Sequence, residues 1–507
     1  MYEIGSNPLT LEKVWDVAVK NEKVVLSNNA SENIKKSRKR IESIMEKDEA
    51  VYGVNTGFGE FSNIRISKEK LKRLQKNLIL SHSVGVGNKF DKKVVRAIML
   101  LRINALSLGY SGISLPAVQT LIDMLNNDIC PIIPEKGSVG ASGDLAPLSH
   151  MVLVMIGEGK AEYKGEIVDA RTALESAGIK PHTLLPKEGL ALINGTQVMT
   201  AVGAIALKKA IDLSIISDIV ASVTYDALLA TDKALDERIH SLRPHTGQIH
   251  TADNLRKLFS ESDIRESHLD CENVQDAYSL RAVPQVHGAS KDTLRYVKSV
   301  LETEFNSVTD NPLIFEDEAI SGGNFHGQPV ALAMDYSKIA VAELGNISER
   351  RINRLIHPAY NKDLPSFLIE KGGINSGLMI PQYVAASLVS ENKTLCHPAS
   401  VDSISTSAGK EDHVSMGTIG ARKFYEVVDN VYYIYAIELL NSTQALELRK
   451  PLKGSIASRE ILNVVREKIE FIEKDRYFKK DIENAYRIIN NENFIEKIEN
   501  KAGKLNF

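Results

Sequence analysis

Apolar residues recur along much of this chain at mixed spacings of three and four, the period of helices that bury one face. Between Asp91 and Leu108 they fall at Val94, Val95, Ile98, Met99, Leu101, Ile103 and Leu106, and Gly109 follows as a stop. Pro116 opens a second helix to about Asn126, because a first turn does not need the N–H that proline lacks. The same period predicts helices over 198–230, 290–306, 330–355, 382–395, 418–448 and 459–475. Several exceed the usual helix of about eleven or twelve residues. Long helices that are apolar round much of their circumference need neighbours on several sides, so 198–450 reads as a helical bundle, with oligomerisation plausible. Strand patterns are scarce; Lys160 to Ile167, with Lys164-Gly165 at the turn, is a short hairpin candidate. The expected fold is mainly α: a smaller mixed N-terminal domain (1–197), a long central helical bundle (198–450), and a Lys/Glu-rich, solvated helical appendage (451–507).

Composition narrows the partners. With 507 residues, 43% of them hydrophobic, the chain can bury a large core, and a net charge of -3 gives no electrostatic argument for nucleic acid or an anionic membrane. The apolar stretch 198–230 is interrupted by Lys208, Lys209, Asp212 and Asp218, which suits a buried helix and not a membrane span. Cys130, Cys271 and Cys396 are far apart and share no metal-ligand or disulfide spacing. No metal site is expected. Residues 1–20 lack the features of an export signal, so a cytoplasmic location is expected.

Glycine, asparagine and small polar residues break the helical pattern in six places. They are Tyr52-Gly-Val-Asn-Thr-Gly-Phe-Gly59, Gly137-Ser-Val-Gly-Ala-Ser-Gly-Asp144, Asn194-Gly-Thr-Gln197, Gln275-Asp-Ala-Tyr-Ser-Leu-Arg281, Ser321-Gly-Gly-Asn-Phe-His326 and Ser407-Ala-Gly-Lys-Glu-Asp-His413. Read alone, Gly137–Asp144 is a tight turn. It lacks the Gly-Lys-Ser/Thr of a phosphate loop, and Asp144 stands where a hydrolase elbow needs glycine. Together the six segments, the second extended to Gly137-Ser-Val-Gly-Ala-Ser-Gly-Asp-Leu-Ala-Pro-Leu148, resemble in order the motifs of the aromatic amino acid lyase family, from about Tyr52 to Met416.

That resemblance implies the family's mostly helical, fumarase-like bundle, a homotetramer, and a 4-methylideneimidazole-5-one (MIO) group made from Ala141-Ser142-Gly143 without an external cofactor. Ring closure would join the Gly143 nitrogen to the Ala141 carbonyl, where larger side chains would obstruct the bent backbone. Loss of water, including the Ser142 hydroxyl, would leave an electron-poor alkene to which a substrate amine can add. By the same resemblance Tyr52 is the catalytic base, which requires its phenolate to be stabilised near neutrality. Tyr278 assists near the electrophile, Gln275 and Asn194 hydrogen-bond the substrate or the ring oxygen, and Phe325 packs against the ring. Gln275, Tyr278 and Arg281 stand three residues apart, so a helix or helical turn would direct them to one face before Pro284 ends it. Arg281 suits a substrate carboxylate through two parallel hydrogen bonds.

Two positions bear on the substrate. His82, within Leu80-Ser-His-Ser83, resembles the histidine-specific members, and Glu411 offers a carboxylate to an imidazole proton that a phenyl ring would leave unsatisfied. Ser407-Ala-Gly-Lys410 departs from the Ser-Ala-Asn-Gln usual before that glutamate. The implied reaction is elimination of ammonia from L-histidine to give trans-urocanate. Lyases acting on tyrosine or phenylalanine, and aminomutases that return ammonia to the β-carbon, are the alternatives.

Overall fold

The computed structural model describes residues 1–46, 51, 53–57, 64–269, 274–316 and 318–507. They divide into two compact units, each assembled from separated stretches. One comprises 1–208, 297–335 and 398–422; the other comprises 209–296, 336–397 and 423–507. The fold is mainly α, as the periodicity predicts, and its long helices are Gln197–Ala227, Val283–Phe305, Gln328–Ile356 and Gly417–Glu447.

In the first unit the Lys92–Ser107 helix is buried from Val94 onwards, including Arg96 and Arg102. Arg102 donates to Gln197 Oε1 (2.7 Å), and Gln197 Nε2 donates to Thr309 Oγ1 (2.8 Å). The Leu115–Asn126 helix starts at a Ser114 cap with Pro116 in its first turn. The expected hairpin forms from Lys160–Tyr163 and Glu166–Asp169. Lys164 (φ 52°) and Gly165 (φ 85°) turn it, the positive pair that matches the twist of a tight hairpin. A second antiparallel pair, Val86–Lys89 with Pro134–Lys136, leads directly into the loop 137–144.

In the second unit, parts of the four long helices surround a fully buried polar core. Asp218 accepts from His287 Nδ1 (2.8 Å) and Lys291 Nζ (2.5 Å), and Glu438 is paired with Arg351. The C-terminal helices Ile456–Arg466, Phe478–Ile489 and Asn493–Ala502 each bury one face, through Ile461 and Val465, Ala485 and Ile489, and Phe494 and Ile498. The appendage is thus packed and not only solvated.

Two local expectations need correction. The helix predicted over 459–475 stops at Arg466. Ile472 lies outside any helix and is held by Gln444, whose amide donates to its carbonyl (3.0 Å) and accepts from its N–H (3.0 Å), replacing helical partners. Pro284, expected to end a helix, opens one: Val283–Phe305 begins beside it, seven residues before the predicted start at 290. Among the described residues no helix is long and apolar enough to cross a membrane.

Candidate active site

The loop 137–144 runs from the Pro134–Lys136 strand to the Leu145–Met155 helix, and its shape depends on glycine. Gly143 sits at φ +70°, and a Cβ there would lie 2.1 Å from the Gly195 carbonyl oxygen, a contact that backbone cannot relieve. Asp144 N–H donates to that same oxygen (2.8 Å), joining the loop to Asn194-Gly195. Ala141 packs into a small apolar cluster with Ala399, Val414 and Met416.

Asp144 anchors the loop. Its Oδ2 accepts from the N–H groups of Val198 (3.0 Å) and Met199 (2.9 Å), in the first turn of the Gln197–Ala227 helix. A carboxylate is favoured at that helix end, where unpaired N–H groups converge. Its Oδ1 accepts from Ser138 (2.8 Å) and from Thr418. Burial raises the Asp144 pKa above the ordinary carboxyl value, against the pull of these four donors. The motif contains Asp144, but sequence reasoning gave it no role. Its place just before a helix was the available signal, and its partners were not.

Three expected site residues meet at Ser142. Its hydroxyl donates to Glu411 Oε1 (2.6 Å), and its carbonyl accepts from Asn194 Nδ2 (2.8 Å). Thr406, unnoticed in the sequence, donates to Glu411 Oε2 (2.7 Å), so the carboxylate is held from both sides. His82 ends the Lys68–His82 helix, with Nδ1 3.0 Å from Ser81 Oγ. Burial holds its imidazole below the usual pKa, and the Glu411 carboxylate acts on it in the opposite sense, which places the two side chains within electrostatic reach. Phe325 is half-buried. The adjoining His326 places Nε2 3.3 Å from the His413 carbonyl oxygen and its ring 5.4 Å from the His413 ring, joining the Phe325 loop to the Glu411 loop. Lys410 is exposed. Tyr52 lies outside the described residues, as does Cys271. Beside Tyr52, Gly53 fits at φ +68° against Leu190, and Val54 is buried with Ile41 and Ile314.

Gln275, Tyr278 and Arg281 belong to the second unit. Tyr278–Arg281 is a four-residue helix, and Gln275, itself exposed, precedes it outside the helix. The Arg281 guanidinium stacks on the Tyr278 ring, 4.6 Å from its centroid. Arg281 Nε is buried and makes no hydrogen bond among the described residues, which leaves a donor for an anionic ligand. Among those residues there is also no group of three or more His, Cys, Asp or Glu side chains able to hold a metal.

Within the first unit, a glycine-tied loop with a carboxylate and an amide against its serine makes a site suited to a small polar ligand. The family model for aromatic amino acid lyases matches residues 9–467, and the chain belongs to that family. It is 55% identical to a histidine ammonia-lyase of Caldanaerobacter subterraneus over 490 residues, 96% of each chain. Among solved structures it resembles histidine ammonia-lyase from Trypanosoma cruzi (TM-score 0.91, 42% identity, 99% of this chain and 95% of that one). It also resembles a tyrosine aminomutase from Streptomyces globisporus (TM-score 0.94, 37% identity, all of both chains).

Proposed function

We propose that this chain eliminates ammonia from L-histidine to give trans-urocanate, with an electrophile built from Ala141, Ser142 and Gly143. The observation that carries the reading is the Glu411 carboxylate, 2.6 Å from the Ser142 hydroxyl and within electrostatic reach of His82. The tripeptide suits cyclisation: the Gly143 conformation and the Gly195 carbonyl leave no room for a side chain, and Asn194 polarises the Ser142 carbonyl. Once formed, the MIO group supplies the electron-poor alkene that makes ammonia a better leaving group.

The remaining work falls to side chains. Arg281 pairs with the substrate carboxylate through its guanidinium, oriented by the Tyr278 ring. Glu411 accepts the imidazole N–H of the substrate, and His82, kept neutral by burial, lies beside it. Phe325 packs alongside, Gln275 supplies an amide, Tyr278 assists at the electrophile and Tyr52 removes the β-proton. Histidine is favoured over phenylalanine because a phenyl ring would leave the partly buried Glu411 without a hydrogen bond. A homotetramer and a cytoplasmic setting complete the reading. Leu332, Tyr336 and Ile339 are 55%, 51% and 43% exposed along one side of the Gln328–Ile356 helix, an apolar stripe suited to subunit contact.

The test is separate incubation with L-histidine, L-tyrosine and L-phenylalanine, following ammonia release and the ultraviolet absorbance of the acrylate product. Histidine turnover by a wide margin is expected; equal or better turnover of tyrosine rejects the substrate assignment, and a β-amino acid product would make the chain an aminomutase. Intact mass should show two waters missing from the wild type. Ser142→Ala, with no hydroxyl to lose, should form no alkene and be inactive.

A further inference from the structure

The Tyr278–Arg281 helix is too short to hold itself, since a single turn fixes several residues for very few hydrogen bonds. Its Ala277 cap supplies no side-chain hydrogen bond, and Tyr278 is 73% exposed. The proline four residues after Leu280 adds a specific defect. An ordinary helix would return the N–H of residue 284 to the Leu280 carbonyl, but Pro284 has none. That carbonyl is on a residue only 3% exposed; the Ala282 N–H at the helix end also reaches it, and a side chain supplies the donor that Pro284 cannot.

The donor is Tyr225. Its hydroxyl, on the Gln197–Ala227 helix, donates to the Leu280 carbonyl at 2.5 Å. The Tyr225 ring is 1% exposed and stands edge-on to Phe259 (5.6 Å, 71°), so it cannot swing away. Burial raises its pKa well above the ordinary tyrosine value, so the proton is in place throughout the working range. Next to it, the Ser279 carbonyl accepts from Arg351 Nη1 at 3.5 Å. Arg351 is itself fully buried and fixed by Glu438 through Nε–Oε1 (2.5 Å) and Nη2–Oε2 (2.8 Å). Glu438 is fixed in turn by Thr224 (2.7 Å) and Ser348 (2.6 Å). On the other side of the turn, Asp276 accepts from the Thr231 N–H (2.8 Å).

We infer that Tyr225 and the Arg351–Glu438 pair are positioning residues: they hold the backbone of Ser279 and Leu280, and through it set the side chains of Tyr278 and Arg281. Buried charges cost free energy to keep in an apolar core, and here their hydrogen bonds end on the segment that carries two proposed functional groups. The inference rests on the roles given above to Tyr278 and Arg281.

The test compares Tyr225→Phe, which removes one hydroxyl and keeps the ring, with Arg281→Lys, Tyr278→Phe and the Tyr225→Phe/Arg281→Lys double variant. The readouts are kcat and KM for L-histidine, Kd for trans-urocanate, and the thermal midpoint. Because small displacements of positioned groups cost large factors in rate, Tyr225→Phe should lower kcat/KM by about tenfold. It should also weaken urocanate binding, and its effect should overlap that of Arg281→Lys instead of multiplying with it. Unchanged kinetics and binding in Tyr225→Phe, or fully additive effects, would overturn the positioning role even if Arg281→Lys is impaired. Normal kinetics in Arg281→Lys and Tyr278→Phe would instead remove the functional reading on which it rests. Arg351→Lys keeps the charge facing Glu438 and loses the arm to Ser279. It offers the same readouts, with the same expected direction, should Tyr225→Phe fold poorly.

Discussion

His82 shows how one residue couples stability to pH. Burial depresses its pKa, and the Leu78 carbonyl and the Glu411 carboxylate only partly offset this. A histidine depressed in the folded state takes up protons more readily when unfolded. Acidification below about 6.5 therefore favours the unfolded chain, until the lower folded pKa is passed and the slope ends. His82→Gln has no such term, so its thermal midpoint should fall less steeply than that of the wild type between about pH 7 and pH 5. Parallel slopes would mean that His82 is free to protonate in the folded chain. The residue types at this site were legible in the motifs, because cyclisation and carboxylate recognition each demand particular side chains. The roles of Asp144 and Thr406 were not, because a capping carboxylate and a hydroxyl clasp are defined by partners distant in sequence.

At the level of elements, the apolar period located three of the four long helices to within about three residues, since burying one face of a helix is a local repeating demand, and missed the start of Val283–Phe305 by seven. It failed where a side chain replaced the helical pattern. Gln444 pairs with both the N–H and the carbonyl of Ile472 and also donates to the Leu368 carbonyl (3.3 Å). Gln444→Leu keeps the bulk and abandons three buried backbone groups. At about 1–3 kcal/mol for each unsatisfied group, less what local relaxation recovers, it should destabilise the chain by about 2–4 kcal/mol. Chemical denaturation measures this, and a loss below about 0.5 kcal/mol, typical of a neutral surface change, would show that the tail does not depend on that clasp. The Pro284 reading failed for a related reason: proline stops a helix from inside and starts one at its first turn, and the sequence alone shows no helix boundary.

At the scale of the whole molecule, each compact unit is built from three separated stretches, so neither is a contiguous fragment. The first unit depends on the return of 297–335 and 398–422. Lys187, fully buried, takes its counter-charge from Asp310 (2.8 Å), and Asp144 takes a hydroxyl from Thr418. A fragment of residues 1–208 would leave that lysine buried without a partner or force it open to water. Expressed alone, it should show no cooperative thermal transition and a collapsed amide spectrum. A sharp transition with dispersed resonances would show that its own core suffices.

The helical class and the chemically unusual tripeptide follow directly from the order of residues, because hydrophobic period and the room that ring closure needs are properties of neighbours along the chain. Which carboxylate faces Ser142 does not: Glu411 lies 269 residues further on, and only the packing of separate segments brings the two within 2.6 Å. The same holds for Tyr225, whose hydroxyl answers a proline 59 positions away in the numbering. A missing N–H is visible in the sequence, whereas the donor that replaces it is chosen by whichever buried side chain the folded core places there.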